Sequence, residues 1–233
     1  MTDNNLRILL SSDNHLGYND KDPIRCNVCF AAFEEILMLA RSTRCDLVLL
    51  SGDLFHENNP SRRTLYRTME ILRRFSLGSR PVKFRVSNDV RADLSDLGLT
   101  SQAGTQSSKS KKGSKKGSSQ KGSNSKAKAN ANASKPNQIF ESSPSSCANF
   151  LDPLTSVDLP IFSIHGNHDD PTRDGQGELL CSLDLLAAAG LVNYFGRQDD
   201  VDKVEIEPVL LEKGSTRVAI YGMGSMRDER LNR

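Results

Sequence analysis

Three short segments hold most of the side chains able to bind a metal ion. Asp13-x-His15, Gly52-Asp53 and Gly166-Asn167-His168-Asp169 each set carboxylate, imidazole or amide groups within a single turn. That mixture favours Mn²⁺, Fe or Zn²⁺ over the all-oxygen cages that suit Ca²⁺. Two such cations about 3.5–4 Å apart can grip a phosphate ester, generate hydroxide and neutralise the charge that develops as the leaving group departs. A bridging carboxylate is the natural way to hold them together, and Asp53 in its tight Gly-Asp turn is expected to be that bridge. Asp13 and His15 are then expected on the first ion and Asn167 on the second. His168 is expected over the substrate, as electrophile or general acid. Each piece alone is weak, since Gly-Asp is a common turn. The force lies in the set of three, each directly after an apolar run.

Those runs must be the elements that position the groups. Leu6 to Ser11, Asp46 to Leu50 and Leu159 to Ile164 read as buried strands delivering polar residues at their carboxyl ends. Between the first two, residues 27 to 42 carry Phe30, Phe33, Ile36, Leu37 and Ala40 at helical spacing. A second helix is expected from Pro60-Ser61 to about Phe75, with Leu65, Met69, Leu72 and Phe75 on its apolar face and arginines elsewhere. Pro81 to Val86 predicts a third strand, Glu178 to Ala189 a helix stopped by Gly190, and Val204 to Leu211 with Thr216 to Tyr221 a hairpin around residues 212–215. The fold class is α/β, with parallel or mixed strands and the chemistry at their carboxyl ends.

Composition separates this folded part from a long insertion. Residues 101–138 hold nine of the thirteen lysines and no acidic residue, so the chain's net charge of +2 conceals an acidic remainder. A basic surface for nucleic acid therefore cannot be read from net charge. The Ser, Lys, Gly, Asn and Ala of this stretch cannot bury enough apolar surface to offset the entropy of ordering it. The domain reading is a first part at 1–87, a disordered insertion at 88–148 and a continuation at 149–233. Cys26, Cys29, Cys45, Cys147 and Cys181 are odd in number and scattered, as expected of reduced thiols in a cytosolic or nuclear protein. Cys26 and Cys29 have CxxC spacing but no second pair to close a zinc site, so a structural role is expected. No signal peptide and no membrane span are expected.

At the metal-binding segments the chain resembles the calcineurin-like metallophosphoesterases, whose successive signatures are Asp-x-His, Gly-Asp and Gly-Asn-His-Asp. Residues 13–17, 52–58, 60–62, 80–82, 162–171 and 222–225 are similar to one family in particular, the eukaryotic Mre-eleven nucleases of double-strand-break repair and meiotic recombination. The resemblance implies a metallophosphoesterase sandwich and a DNA exonuclease and single-strand endonuclease using two Mn²⁺ ions. It also implies a nuclear homodimer working with the Rad-fifty SMC-like ATPase and an Nbs/Xrs-type adaptor. The family completes its metal shell with three further histidines. None follows His168 here, so the resemblance implies a sandwich incomplete at its C-terminal end, truncated before its last metal motifs. Weak or absent cleavage by this chain alone is expected. Two other readings remain open: another metallophosphoesterase, such as a phosphatase or cyclic-nucleotide esterase, and a non-catalytic scaffold.

Some residues carry two readings. His56 either orients DNA, as the resemblance suggests, or packs its loop, and His165 is expected to make a structural hydrogen bond. Arg62, Arg63, Arg67, Arg73 and Arg74 either touch phosphates or form a solvated face, the latter expected for most. Leu65, Met69 and Leu72 serve either the core or a dimer interface. The lysine run at 109–116 is a nuclear localisation signal, a DNA contact or a tolerated solvated segment.

Overall fold

A computed structural model describes residues 4–87, 148–173, 179–198, 204 and 206–226. The expected insertion, 88–148, lies outside the described residues apart from Ala148. The three expected strands form and lie side by side. β1 (Ile8–Ser11), β2 (Leu47–Ser51) and β4 (Ile161–Ile164) join β7 (Asn193–Tyr194) in a parallel sheet of order β1-β2-β4-β7. β3 (Arg85–Val86) pairs instead with the hairpin of β8 (Val209–Lys213) and β9 (Thr216–Ile220), making a second, antiparallel sheet. The hairpin turn is tighter than the sequence suggests, because Glu212 and Lys213 are still in strand and only Gly214 and Ser215 turn.

β2 shows why a near-continuous apolar run was needed. Val48 and Leu50 face α1 (Val28–Ser42), α2 (Arg62–Ser76) and α3 (Ser182–Ala188), in a core shared with Phe33, Leu37 and Leu72. Leu47 points the other way, joining Phe162, Phe84, Val86 and Leu211 between the two sheets. A strand covered on both faces must be apolar at every position. β1 departs from that expectation. Leu9 packs against the helix-side core, but Ile8 and Leu10 are 37% and 66% exposed.

Helix ends follow local chemistry. Ser61 caps α2 by accepting from the Thr64 N–H at 3.1 Å. The third helix begins later than the periodicity indicates: Leu179–Leu180 form β6 against β5 (Thr172–Arg173), and Cys181 is the N-cap, its N–H held by Asp184 at 2.8 Å. Two buried or partly buried ion pairs tie distant segments together. Lys213 reaches Asp46 at 2.8 Å, with both side chains at least nine-tenths buried, and Arg41 reaches Asp158 at the same distance.

Candidate metal centre

Parallel strands in register bring their carboxyl ends to one edge. Ser11 pairs with Leu50 and Ser51 with Ile164, so the loops that follow β1, β2 and β4 emerge together. Main-chain bonds then stitch them: Asp13 N–H to the Gly52 carbonyl (3.2 Å), His15 N–H to Asp53 (3.0 Å) and Leu16 N–H to Leu54 (2.8 Å). As a result Asp13, His15 and Asp53 each present a ligand atom within 4.8 Å of the others. His15 Nε2 stands 3.7 Å from Asp13 Oδ1. Asn167 lies exposed in the neighbouring loop, between His165 and His168.

All three converging residues adopt left-handed backbone, with φ of 55°, 45° and 49° for Asp13, His15 and Asp53. Asp and His tolerate this region better than most residues, yet it still carries strain of roughly 1 kcal/mol or more apiece. Such strain is kept where side chains must be aimed. Gly52, at φ 103°, completes the turn, and a Cβ there would lie 3.1 Å from the Gly166 backbone.

Asp53 is also fixed from the far side. Its Oδ1 accepts from the His168 N–H at 2.8 Å, and a Cβ on Gly166 would sit 2.1 Å from that oxygen. The Gly in Gly166-Asn167-His168 is thus required by the carboxylate it approaches. Asp169, given no role from sequence, proves to be the clamp between loops. It is fully buried, and accepts from Leu54 and Phe55 at one oxygen and from Gly166 at the other. Burial raises its pKa, while the Gly166 and Phe55 N–H groups pull the other way. Asn58 adds a second tie, donating to the Asp170 main chain and carboxylate. An acidic residue at the end of a histidine motif carries no sequence signal for such a role.

His56 belongs to the same patch, which spacing alone did not establish. Its ring stacks on that of His168 at 5.2 Å, and its Nδ1 is 3.4 Å from His15 Nδ1. His168 Nδ1 lies 2.8 Å from the His56 carbonyl. Because a carbonyl can only accept, Nδ1 carries the proton and the neutral ring's lone pair is on Nε2. His165, by contrast, makes the structural contact expected of it. It is buried, with Nδ1 2.7 Å from the Tyr194 hydroxyl, and burial holds its pKa below the ordinary value.

The arginine row is mostly spent within the fold. Arg63 pairs with Asp20 (2.9 Å) and reaches Asn27, Arg67 lies over the Phe30 ring (5.2 Å), and Arg74 pairs with Glu34 (3.1 Å). Leu65 and Met69 pack against the helix-side core. Cys26, Cys29, Cys45 and Cys181 are free thiols among the described residues. No helix among these residues is long and apolar enough to cross a membrane.

Residues 6–84 match the calcineurin-like phosphoesterase family. The chain is 39% identical over 231 residues to the double-strand break repair protein MRE11 of Homo sapiens, covering 99% of this chain and 26% of that protein. Identity to MRE11 of Oryza sativa subsp. indica is 42% over 234 residues, covering 99% and 26%. Identity to the double-strand break repair protein mus-23 of Neurospora crassa is 38% over 228 residues, covering 98% and 24%. The chain therefore spans about a quarter of the length of these relatives. The family match and the α/β fold with its parallel sheet show a calcineurin-like metallophosphoesterase domain. Within that class, the chain belongs to the MRE11 family.

Proposed function

We propose that this chain carries part of the active site of a metal-dependent DNA nuclease of double-strand-break repair, hydrolysing phosphodiester bonds as exonuclease and single-strand endonuclease. The convergence of Asp13, His15 and Asp53 carries this reading. Two carboxylates and an imidazole suit a first-row divalent ion, with Mn²⁺ the choice and Fe or Zn²⁺ second. Asp13, His15 and Asp53 would hold one ion, and Asp53 with Asn167 a second. When bound, the pair would supply Lewis acidity to the phosphate and lower the pKa of water.

The chain's own groups do the rest. Asp53 is aimed by its bond from the His168 N–H. His168, oriented by the His56 carbonyl, presents Nε2 to the substrate. As imidazolium, that nitrogen donates to a phosphate oxygen or protonates the leaving oxygen. Asp169 fixes the distance between the two loops. With Asp13, His15, Asp53 and Asn167 to serve two ions, we read the 233-residue chain as a weak enzyme on its own. We extend the family's setting to it: DNA as substrate, a homodimer, assembly with a Rad-fifty SMC-like ATPase and an Nbs/Xrs-type adaptor, and action in the nucleus, including in meiosis. The division into 1–87, 88–148 and 149–233 is part of the same reading.

The test is hydrolysis of bis-p-nitrophenyl phosphate and of single-stranded DNA by the purified chain with Mn²⁺, beside Asp53→Asn. Slow diester cleavage, lost in the variant, is expected. Robust turnover would contradict the weak-enzyme reading, and preference for the monoester p-nitrophenyl phosphate would favour a phosphatase instead. Intact Mn²⁺ binding with no cleavage of any ester would favour a scaffold.

A further inference from the structure

The three histidines at the edge of the site form a second donor set, made of imidazoles alone. One ring nitrogen from each of His15, His56 and His168 lies within 4.8 Å of the other two, and all three side chains are half-buried. The closest pair, His15 Nδ1 and His56 Nδ1, is 3.4 Å apart. Two nitrogens bound at 2.0–2.1 Å to one tetrahedral ion stand ~3.3–3.4 Å apart. This spacing is long for a hydrogen bond and right for a shared cation. The third ring is prepared as well. His168 gives its Nδ1 proton to the His56 carbonyl, the kind of bond that fixes the tautomer of metal-binding histidines, and leaves Nε2 free to coordinate.

We infer that His15, His56 and His168 bind one Zn²⁺ ion in a three-imidazole site, separate from the Asp13–His15–Asp53 set but sharing His15 with it. Neutral imidazoles favour Zn²⁺ over Mn²⁺, which sits lowest in the affinity order of the divalent first-row ions. The carboxylate set remains the better place for Mn²⁺. Sharing His15 makes the two sites exclusive. Its Nε2 faces Asp13 and its Nδ1 faces His56, and a neutral ring has one lone pair. Zinc at the imidazole site thus takes His15 from the carboxylate set and occupies His168. On the hydrolytic reading above, on which this consequence rests, zinc inhibits the Mn²⁺-dependent reaction.

The experiment measures Zn²⁺ affinity of the 233-residue chain by competition with a chromophoric chelator, and uses Co²⁺ as a spectroscopic probe of four-coordinate geometry. The expected result is one tight equivalent of Zn²⁺ and intense visible Co²⁺ bands. Both should be weakened at least ~10-fold in His56→Gln and in His168→Gln and retained in Asp53→Asn. Circular dichroism confirms which variants fold, and two independent histidine variants guard against the loss of one. Absence of tight Zn²⁺ binding overturns the inference. So does affinity unchanged in the folded histidine variants, or lost in folded Asp53→Asn. Mn²⁺ binding lost in Asp53→Asn reports on the hydrolytic reading, so the two can fail independently.

Discussion

Asp53 joins strain, hydrogen bonding and ligand chemistry in one side chain. It sits at φ 49° and accepts from His168, while Gly166 leaves room for its carboxylate. Asparagine tolerates the same backbone and keeps an oxygen acceptor but loses the charge. Asp53→Asn is therefore expected to hold its melting temperature within a few degrees while Mn²⁺ binding falls by ~10-fold or more, read by titration calorimetry. Cys181 gives a prediction of the opposite kind. Burial, chiefly, pushes its thiol pKa up to about 11. Since only the thiolate is nucleophilic, it should resist iodoacetamide at neutral to mildly alkaline pH and react as the pH approaches that value or as the chain unfolds. Among the described cysteines, mass spectrometry should show half-buried Cys29 modified first.

At the level of elements, the site depends on three loops held at a common height, and Asp169 does most of the holding. Replacing it by alanine strands three main-chain N–H groups, those of Leu54, Phe55 and Gly166. With each stranded donor costing ~1–3 kcal/mol, Asp169→Ala is expected to lose at least ~3 kcal/mol, measured by urea unfolding, and to weaken Mn²⁺ binding. Unchanged stability would show that the loops are held by something else. The sequence revealed β1, β2 and β4 because each is a local event, an apolar run that breaks into ligand residues. It did not reveal the clamp, since Asp169 bonds groups 114 and 115 residues away. Nor did it reveal that Leu179–Leu180 leave the helix to pair with β5, where an apolar dipeptide fits strand and helix equally well. His56 carries two readings in the sequence, orienting DNA or packing its loop, because nothing in its spacing shows that it stacks on His168.

Across the whole molecule, the two sheets are locked by long-range contacts. Arg85 of β3 meets Glu212 of β8 within the antiparallel sheet, across 127 residues of chain, and Lys213 of β8 joins that sheet to the parallel one, buried against Asp46 just before β2, which also accepts from the Arg7 N–H. Removing one member of a buried ion pair leaves the other charge uncompensated. Lys213→Ala should therefore cost ~3–5 kcal/mol by urea unfolding. Arg74→Ala, at an exposed pair, should cost no more than ~1 kcal/mol. Similar losses for both would contradict a structural role for the Lys213–Asp46 pair. The Lys213–Asp46 and Arg7–Asp46 contacts fasten the amino ends of β1 and β2, and the opposite, carboxyl edge of that sheet is the platform on which the candidate ligands stand.

The most direct test is whether that platform binds the ion the reaction needs. Mn²⁺ should bind the 233-residue chain, as followed by the loss of the free-ion electron paramagnetic resonance signal, with folded Asp13→Asn and Asp53→Asn each weakening it by ~10-fold or more. Mn²⁺ affinity unchanged in both folded variants would contradict the account.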